Sequence, residues 1–235
     1  LLAGKGDIAA AFLTMTPDRE ADVDFISPQG RFVDEILVAY KDAEPIEQLS
    51  DLSGRTVYLL KGSSYVSHLL ELNQALEVVD LPPVNIINAG SQLLTEDILE
   101  LVNAGIVDYT VCDDFKARLW SKVLPDIRLY PDIRISSGQS VGWVIRPNSP
   151  QLMAALDTFS NNVKKGSFLG NLLFNKYHAS TQWIDNPLAQ TERDKFKQII
   201  HLFRRFGEQY QFDPLALAAQ GYQESRFDQS LTSHK

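Results

Sequence analysis

Two sets of residues in this 235-residue chain combine side-chain type and position in a way that could do chemistry. In the first, Arg19 follows the apolar run "DIAAAFLTM" (7–15) and opens a short helical pattern within "TMTPDREADVDFISP". "LKGSSY" (60–65) sets Gly62, Ser63 and Ser64 at a second strand-to-helix junction, and "VDYTVCDDF" (107–115) sets Asp113 at a third. A guanidinium fork binds a carboxylate through two parallel bonds, and N–H groups and hydroxyls at a helix start hold the same anion. Asp113 would neutralise an ammonium. Three strand ends meeting in one cleft would therefore fit an α-amino acid group. Taken singly, Arg19 reads as a solvated first-turn residue and Asp113 as the N-cap of the helix "DFKARLW".

The second set lies in "LAAQGYQESRFDQS" (217–230), a helical stretch carrying Glu224 and Ser225. Leu215, Ala218, Ala219, Tyr222 and Arg226 can share a face at helical spacing, and Glu224 falls off it. Charged residues usually face water, so the spacing leaves open whether this carboxylate is a surface group or an acid in a site.

Composition narrows the classes. The formal net charge is −8 and no Lys/Arg cluster occurs, which argues against nucleic acid as a partner, since phosphate contacts need grouped cations. Cys112 is the one cysteine, so there is no internal disulfide and no Cys/His spacing for zinc. His68, His178, His201 and His234 are scattered and read as solvated or capping residues rather than metal ligands; no cofactor is implied. Trp120, Trp143 and Trp183 read as core or linker packing. With 44% apolar residues the chain can fill substantial cores. No apolar run approaches the roughly 18 residues of a spanning helix. The opening "LLAGKGDIAA" lacks an initiating Met and a signal pattern, and "DQSLTSHK" stops one loop after a helix, so the sequence reads as a piece cut at both ends.

The elements that must position these residues follow an α/β rhythm of short apolar runs and amphipathic helices, for which parallel strands are expected. Strands are expected at 7–15, 33–40, 55–61, 84–89, 106–112 and in "SVGWVIRP". Helices are expected at "SSYVSHLLELNQAL", at "TEDILELVNAG" with Thr95 as N-cap and Gly105 as stop, at 149–165 and at 167–177. Residues 178–190, with Pro187, read as a linker. Beyond it, 191–210 puts Phe196, Ile199, Ile200, Phe203 and Phe206 on one stripe, with Thr191 and Asp194 in capping-box-like positions. Asp213 as N-cap and Pro214 at N1 then start the helix that bears Glu224.

Several of these segments, in order, resemble the family 3 extracellular solute-binding proteins. The segment from Gly4 to Asp7, then Thr14, Thr16, Arg19, Val23, Phe25 and Pro28, is similar to the family's "G-x-x-D" and "T-x-T-x-x-R…v-x-F-s-x-P" pattern. "DLSGRTVYLLKGSS", "NAGIVDYTVCDD" and "VGWVIRPNSPQL" resemble its later segments. The resemblance implies a two-lobed, type II periplasmic-binding-protein-like α/β domain over 1–177, truncated at its N-terminus. Lobe 2 would cover about 43–130, and lobe 1 would be built from 1–42 and 131–177, the two closing like a hinge. It also implies roles: Arg19 as carboxylate clamp, Thr14 and Ser64 as carboxylate or amino-group partners, Asp113 as ammonium ligand. Phe12 departs from the family, standing where many relatives have a small polar residue.

The stretch around Glu224 resembles the catalytic helix of the lytic transglycosylases, with a Glu-Ser step followed by Arg, Phe and Asp. A solute-binding unit followed by such a helix is the order found in the membrane-bound lytic murein transglycosylase F family. This implies that 191–235 begins a lysozyme-like catalytic domain. The implied reaction cleaves the MurNAc–GlcNAc β-1,4 bond of peptidoglycan glycan strands with formation of 1,6-anhydroMurNAc. Such chemistry needs one carboxyl that protonates the leaving oxygen and then accepts the C6 proton, a part that falls to Glu224, with Ser225 as a positioning group. Asp228 reads as a turn residue, and Gln229 and Ser230 depart from the Pro and Ala of many relatives. The resemblance further implies an amino acid or cell-wall peptide as regulatory ligand, a periplasmic location and peripheral association with the outer membrane of a Gram-negative bacterium. The 235 residues alone are expected not to cleave murein. The rival expectation is an amino-acid or peptide receptor without catalysis.

Overall fold

The structure, a computed structural model, describes residues 1–26, 32–90, 92–164, 166–179, 181, 190–228 and 230–232. Two compact units divide the chain, Leu1–Trp183 and Ile184–Lys235. Pro28, Trp183, Pro187, Gln229 and His234 lie outside the described residues.

The first unit is organised on a seven-stranded sheet made of β1 (Ile8–Thr14), β2 (Asp24–Ile26), β3 (Phe32–Tyr40), β4 (Thr56–Leu59), β5 (Asn85–Asn88), β6 (Tyr109–Asp113) and β7 (Ile127–Ile145). The order is β1-β7-β3-β6-β4-β5, with β2 also paired to β7. The expected parallel strands occur in the pairs of β4 with β5 and β6. The pairs made by β3 and β7 are antiparallel, because these two strands run between the lobes in opposite directions.

β7 has 19 residues, far longer than the run "SVGWVIRP" predicts. Its first part carries Pro131 and several polar residues, so it lacks the apolar signature of a buried strand. It pairs with β3 from Ile127 to Ser140, and with β1 and β2 over Val141–Ile145. One lobe holds β1, β2 and this second part of β7; the other holds β4, β5 and β6.

Among the described residues this unit has the α-helices α1 (Pro17–Asp22), α2 (Ser64–Val78), α3 (Thr95–Asn103), α4 (Asp114–Trp120), α5 (Pro150–Asn162) and α6 (Phe168–Phe174). Alternation along β3 feeds both faces of the sheet, as period two requires. Leu37 and Ala39 enter a cluster with Leu59, Leu69 and Val111, while Ile36 and Val38 enter one with Leu99, Cys112 and Leu124. Thr95 is the first residue of α3 rather than its cap. The cap position is Leu94, whose N–H donates to Asp97 Oδ2 at 2.7 Å, a longer acceptor reaching back from the first turn. Gly105 does end that helix, at φ +69°, where an added Cβ would stand 3.1 Å from the Tyr40 ring. Trp143 stacks on Phe159, with centroids 5.9 Å apart.

The second unit is a helical hairpin of α7 (Gln190–Tyr210) and α8 (Pro214–Ser225). Thr191 lies within α7, and its side chain is outside the described residues. Asp213 Oδ1 accepts from the Ala216 N–H at 3.3 Å, as an N-cap does. The turn is tight: a Cβ on Gly207 would stand 2.8 Å from the Phe212 carbonyl oxygen. Arg226 (φ 50°) and Phe227 (φ 60°) are left-handed and swing the Phe227 ring onto Phe196, Phe203 and Tyr222. Ile199 and Ala218 are buried between the helices, whereas Phe206, placed on the same stripe by spacing, is 43% exposed.

Candidate functional site

The α2-covered face of the sheet turns from apolar to charged at one end. Glu35 on β3 and Asp113 on β6 are register partners, so their side chains emerge side by side on the face that carries Leu37 and Val111. Glu35 has no exposed surface and Asp113 has 2%. The first turn of α2 lies over both. Ser64 Oγ is 2.7 Å from Glu35 Oε1, His68 Nδ1 is 2.6 Å from Glu35 Oε2, and the Tyr65 hydroxyl donates to Asp113 Oδ1 at 2.9 Å. Lys116 Nζ stands 3.6 Å from Asp113 Oδ2.

From the other lobe, Thr14 on β1 brings Oγ1 to 3.0 Å from Ser64 Oγ. Arg19, in α1, donates through its two terminal nitrogens to the Thr14 carbonyl at 2.8 Å and to the Gly62 carbonyl at 2.9 Å. Its guanidinium thus spans from one lobe to the turn that starts α2 in the other. Phe12 and Phe115 meet edge to face at 5.5 Å, one from β1 and one from α4. Thr14, Arg19 and Ser64 therefore share one hydrogen-bond network with Glu35, and Asp113, up to 99 positions away in sequence, stands beside it as the register partner of Glu35. Asp113 occupies the cap position of α4, but its side chain makes no cap bond; it faces Tyr65 and Lys116 instead.

Burial raises the Asp113 carboxyl above the usual range, with Lys116 and the Tyr65 hydroxyl pulling it back. The bond to Glu35 raises the His68 imidazole, against the effect of burial. Burial pushes the Tyr65 phenol well up, so it remains a donor to Asp113. Ser64 and His68 both address the Glu35 carboxylate and not each other, so they do not form a nucleophile and its base. Cys112 is fully buried and its thiol is pushed well up by burial, the opposite of a reactive thiolate. No group of three or more His, Cys, Asp or Glu that could hold a metal occurs among the described residues. The arrangement brings two cations, Arg19 and Lys116, and two buried carboxylates, Glu35 and Asp113, together where β1 and α1 meet the start of α2.

In the second unit Glu224 is exposed on α8, where its Oε1 accepts from Gln220 Nε2 at 3.1 Å. Ser225 Oγ donates to the Gly221 carbonyl at 3.2 Å, one turn back, and not to Glu224. The apolar shelter that acid catalysis by Glu224 calls for is not supplied by the described residues of this unit, since a two-helix hairpin covers only one side of α8. Asp228 accepts from the Ser230 N–H at 2.9 Å, which makes it a turn residue.

Residues 1–179 match the bacterial extracellular solute-binding proteins, family 3. The chain belongs to that family. The substrate-binding protein of an amino acid ABC transporter overlays with a TM-score of 0.62 at 20% identity, covering 77% of this chain and 74% of that one. An ancestral arginine-binding protein bound to arginine gives 0.62 at 22% identity, over 75% and 74%. Both show the fold alone, which is the type II periplasmic-binding-protein architecture. Curated relatives called membrane-bound lytic murein transglycosylase F extend along the whole chain. The one from Desulfosudis oleivorans is 31% identical over 244 residues, covering 100% of this chain and 50% of the relative. That from Ectopseudomonas mendocina is 26% identical over 231 residues, covering 96% and 45%. The chain spans about half the length of these relatives.

Within this family 3 unit, sequence reasoning missed Glu35, Tyr65, His68 and Lys116. A signal for Glu35 was present: in "FVDEILVAY" it alternates with Val33 and Leu37, and a carboxylate on the inward face of a strand marks a site. His68 lies one turn beyond Ser64 and faces the same way, which the reading of scattered, solvated histidines overlooked.

Proposed function

We propose that the first unit is a receptor for a ligand bearing an α-amino-acid head, free or within a cell-wall peptide. The interlobe position of Arg19 supports this reading most directly. Its guanidinium would clamp the ligand carboxylate with the N–H groups that start α2, Asp113 would take the ammonium, and Thr14 and Ser64 would complete the wall. The test is a thermal-shift screen against the twenty standard L-amino acids and soluble cell-wall peptides. A binder should raise the unfolding midpoint of the wild-type protein and not that of Arg19→Ala. Stabilisation that survives in Arg19→Ala would move the site elsewhere.

We further propose that the longer protein is a periplasmic lytic transglycosylase associated with the outer membrane, which cleaves the MurNAc–GlcNAc bond of peptidoglycan to a 1,6-anhydro product under control of that receptor. Residues 191–235 would begin its lysozyme-like domain, Glu224 would be the acid and then the base, and Ser225 would position it. Similarity to transglycosylase F relatives runs through both units, beyond the family-matched 1–179, and this supports the reading. The exposure of Glu224 favours a second reading, in which the hairpin is a non-catalytic appendage of the receptor. Formation of anhydro product by the complete protein, and its loss in Glu224→Gln, separates the two.

A further inference from the structure

We infer that Glu35 sets the ligand preference of the cleft by fixing the direction in which the hydroxyls of Thr14 and Ser64 donate. The inference rests on the receptor reading and adds to it a specificity-determining residue that touches no ligand.

A carboxylate has no proton to give and only accepts, whereas each hydroxyl has one proton and two lone pairs. Ser64 Oγ lies 2.7 Å from Glu35 Oε1 and 3.0 Å from Thr14 Oγ1. Its single proton goes to the charged acceptor, the stronger and shorter of the two bonds. Ser64 must then accept from Thr14, and the protons run Thr14 to Ser64 to Glu35. Neither hydroxyl keeps a proton for a ligand. Water does not reverse this order, because Glu35 has no exposed surface and its other oxygen is held by His68 at 2.6 Å.

The consequence is a division of the cleft by charge. Donors to an anion come from Arg19 and the start of α2, Lys116 being paired with Asp113, while Thr14 and Ser64 offer only lone pairs, beside Asp113. Such a wall selects for an α-ammonium and against the same acid without it. Replacing Glu35 with Gln puts an amide next to Ser64 whose N–H can donate to Oγ, turning both hydroxyl protons outward. Replacing Ser64 with Ala removes Thr14's acceptor and frees its proton.

The experiment uses titration calorimetry on the 235-residue protein. The tightest binder from the amino-acid and cell-wall-peptide screen is compared with the same compound lacking the α-ammonium, and the ratio of the two affinities is the readout. Glu35→Gln should lower that ratio by about tenfold, the worth of one hydrogen bond to a charged group. Ser64→Ala should lower it in the same direction, and it keeps the test available if Glu35→Gln does not fold. A general loosening of the cleft weakens both compounds alike and leaves the ratio unmoved. An unchanged ratio in a folded variant therefore overturns the role of Glu35 while the receptor stands. Absence of binding by every compound in the screen overturns the receptor reading and this inference with it.

Discussion

His68 Nδ1 lies 2.6 Å from Oε2 of Glu35, so a titrating imidazole on α2 is tied to a fully buried carboxylate on one of the two strands that join the lobes. The bond to Glu35 raises the folded-state value of His68 above its ordinary 6.5. A group raised on folding contributes stability that is complete below its unfolded value and is lost as pH rises through its folded value. The ligand-free protein should therefore lose stability as pH climbs from about 6.5 upward through the raised value. Unfolding midpoints measured across pH 5.5–9 should show that decline in wild type and a flatter line in His68→Gln. Equal slopes would mean that the pair does not titrate with folding.

Asp113 is held above the usual carboxylate range, chiefly by burial, so its charge opposes folding at neutral pH. Asp113→Asn keeps a partner for the Tyr65 hydroxyl and removes that charge. The expected result is a ligand-free protein as stable as wild type or more so, by up to about 1 kcal/mol, together with a loss of about tenfold or more in affinity for an α-ammonium ligand. A midpoint several degrees lower would show that Asp113 is held for structure.

The hairpin turn leaves no room at Gly207, where a Cβ would press on the Phe212 carbonyl oxygen at 2.8 Å and on Pro214 at 3.0 Å. Backbone cannot move aside as a flexible side chain does. Gly207→Ala should destabilise the α7–α8 unit by about 1–3 kcal/mol, although alanine is the better helix former. Limited proteolysis should then cut within 190–232 sooner than in wild type, with the first unit unaffected. Unchanged cutting would mean that the turn can relax.

For Glu224 the decisive readout is product chemistry. In the complete protein, Glu224→Gln should lower anhydromuropeptide release from purified sacculi by about a hundredfold or more, while leaving binding at Arg19 intact. Wild-type release by this variant would assign the acid to another residue. The 235-residue protein should release none, given the exposed setting of Glu224 in its hairpin.

Much of the scaffold was legible because strand and helix periods are local. The runs 7–15 and 106–112 appear, with shifted ends, as β1 and β6, and the Gly62–Ser64 junction starts α2 as spacing suggests; those junctions carry the site residues. The first part of β7 was not legible, since Pro131 and its polar neighbours carry no apolar alternation; it is a strand because β3 pairs with it. The α/β rhythm made the parallel strands β4, β5 and β6 legible, but not the antiparallel pairs that β3 and β7 make. Glu35 and His68 are 33 positions apart on different elements, and no pattern in either segment announces the other. Only tertiary placement joins them. Glu224 shows the converse, since a recognisable local motif does not by itself supply the walls around it.

β7 continues as one strand from its pairing with β3 into its pairing with β1 and β2, so the two lobes share it. Widening the cleft must flex the strand itself near 131–140, where its register against β3 already shifts around Glu35. Lobes joined in this way are expected to move as the ends of a bent leaf spring do, through small angles and with a built-in return. A receptor of this kind would report occupancy as a graded change of curvature.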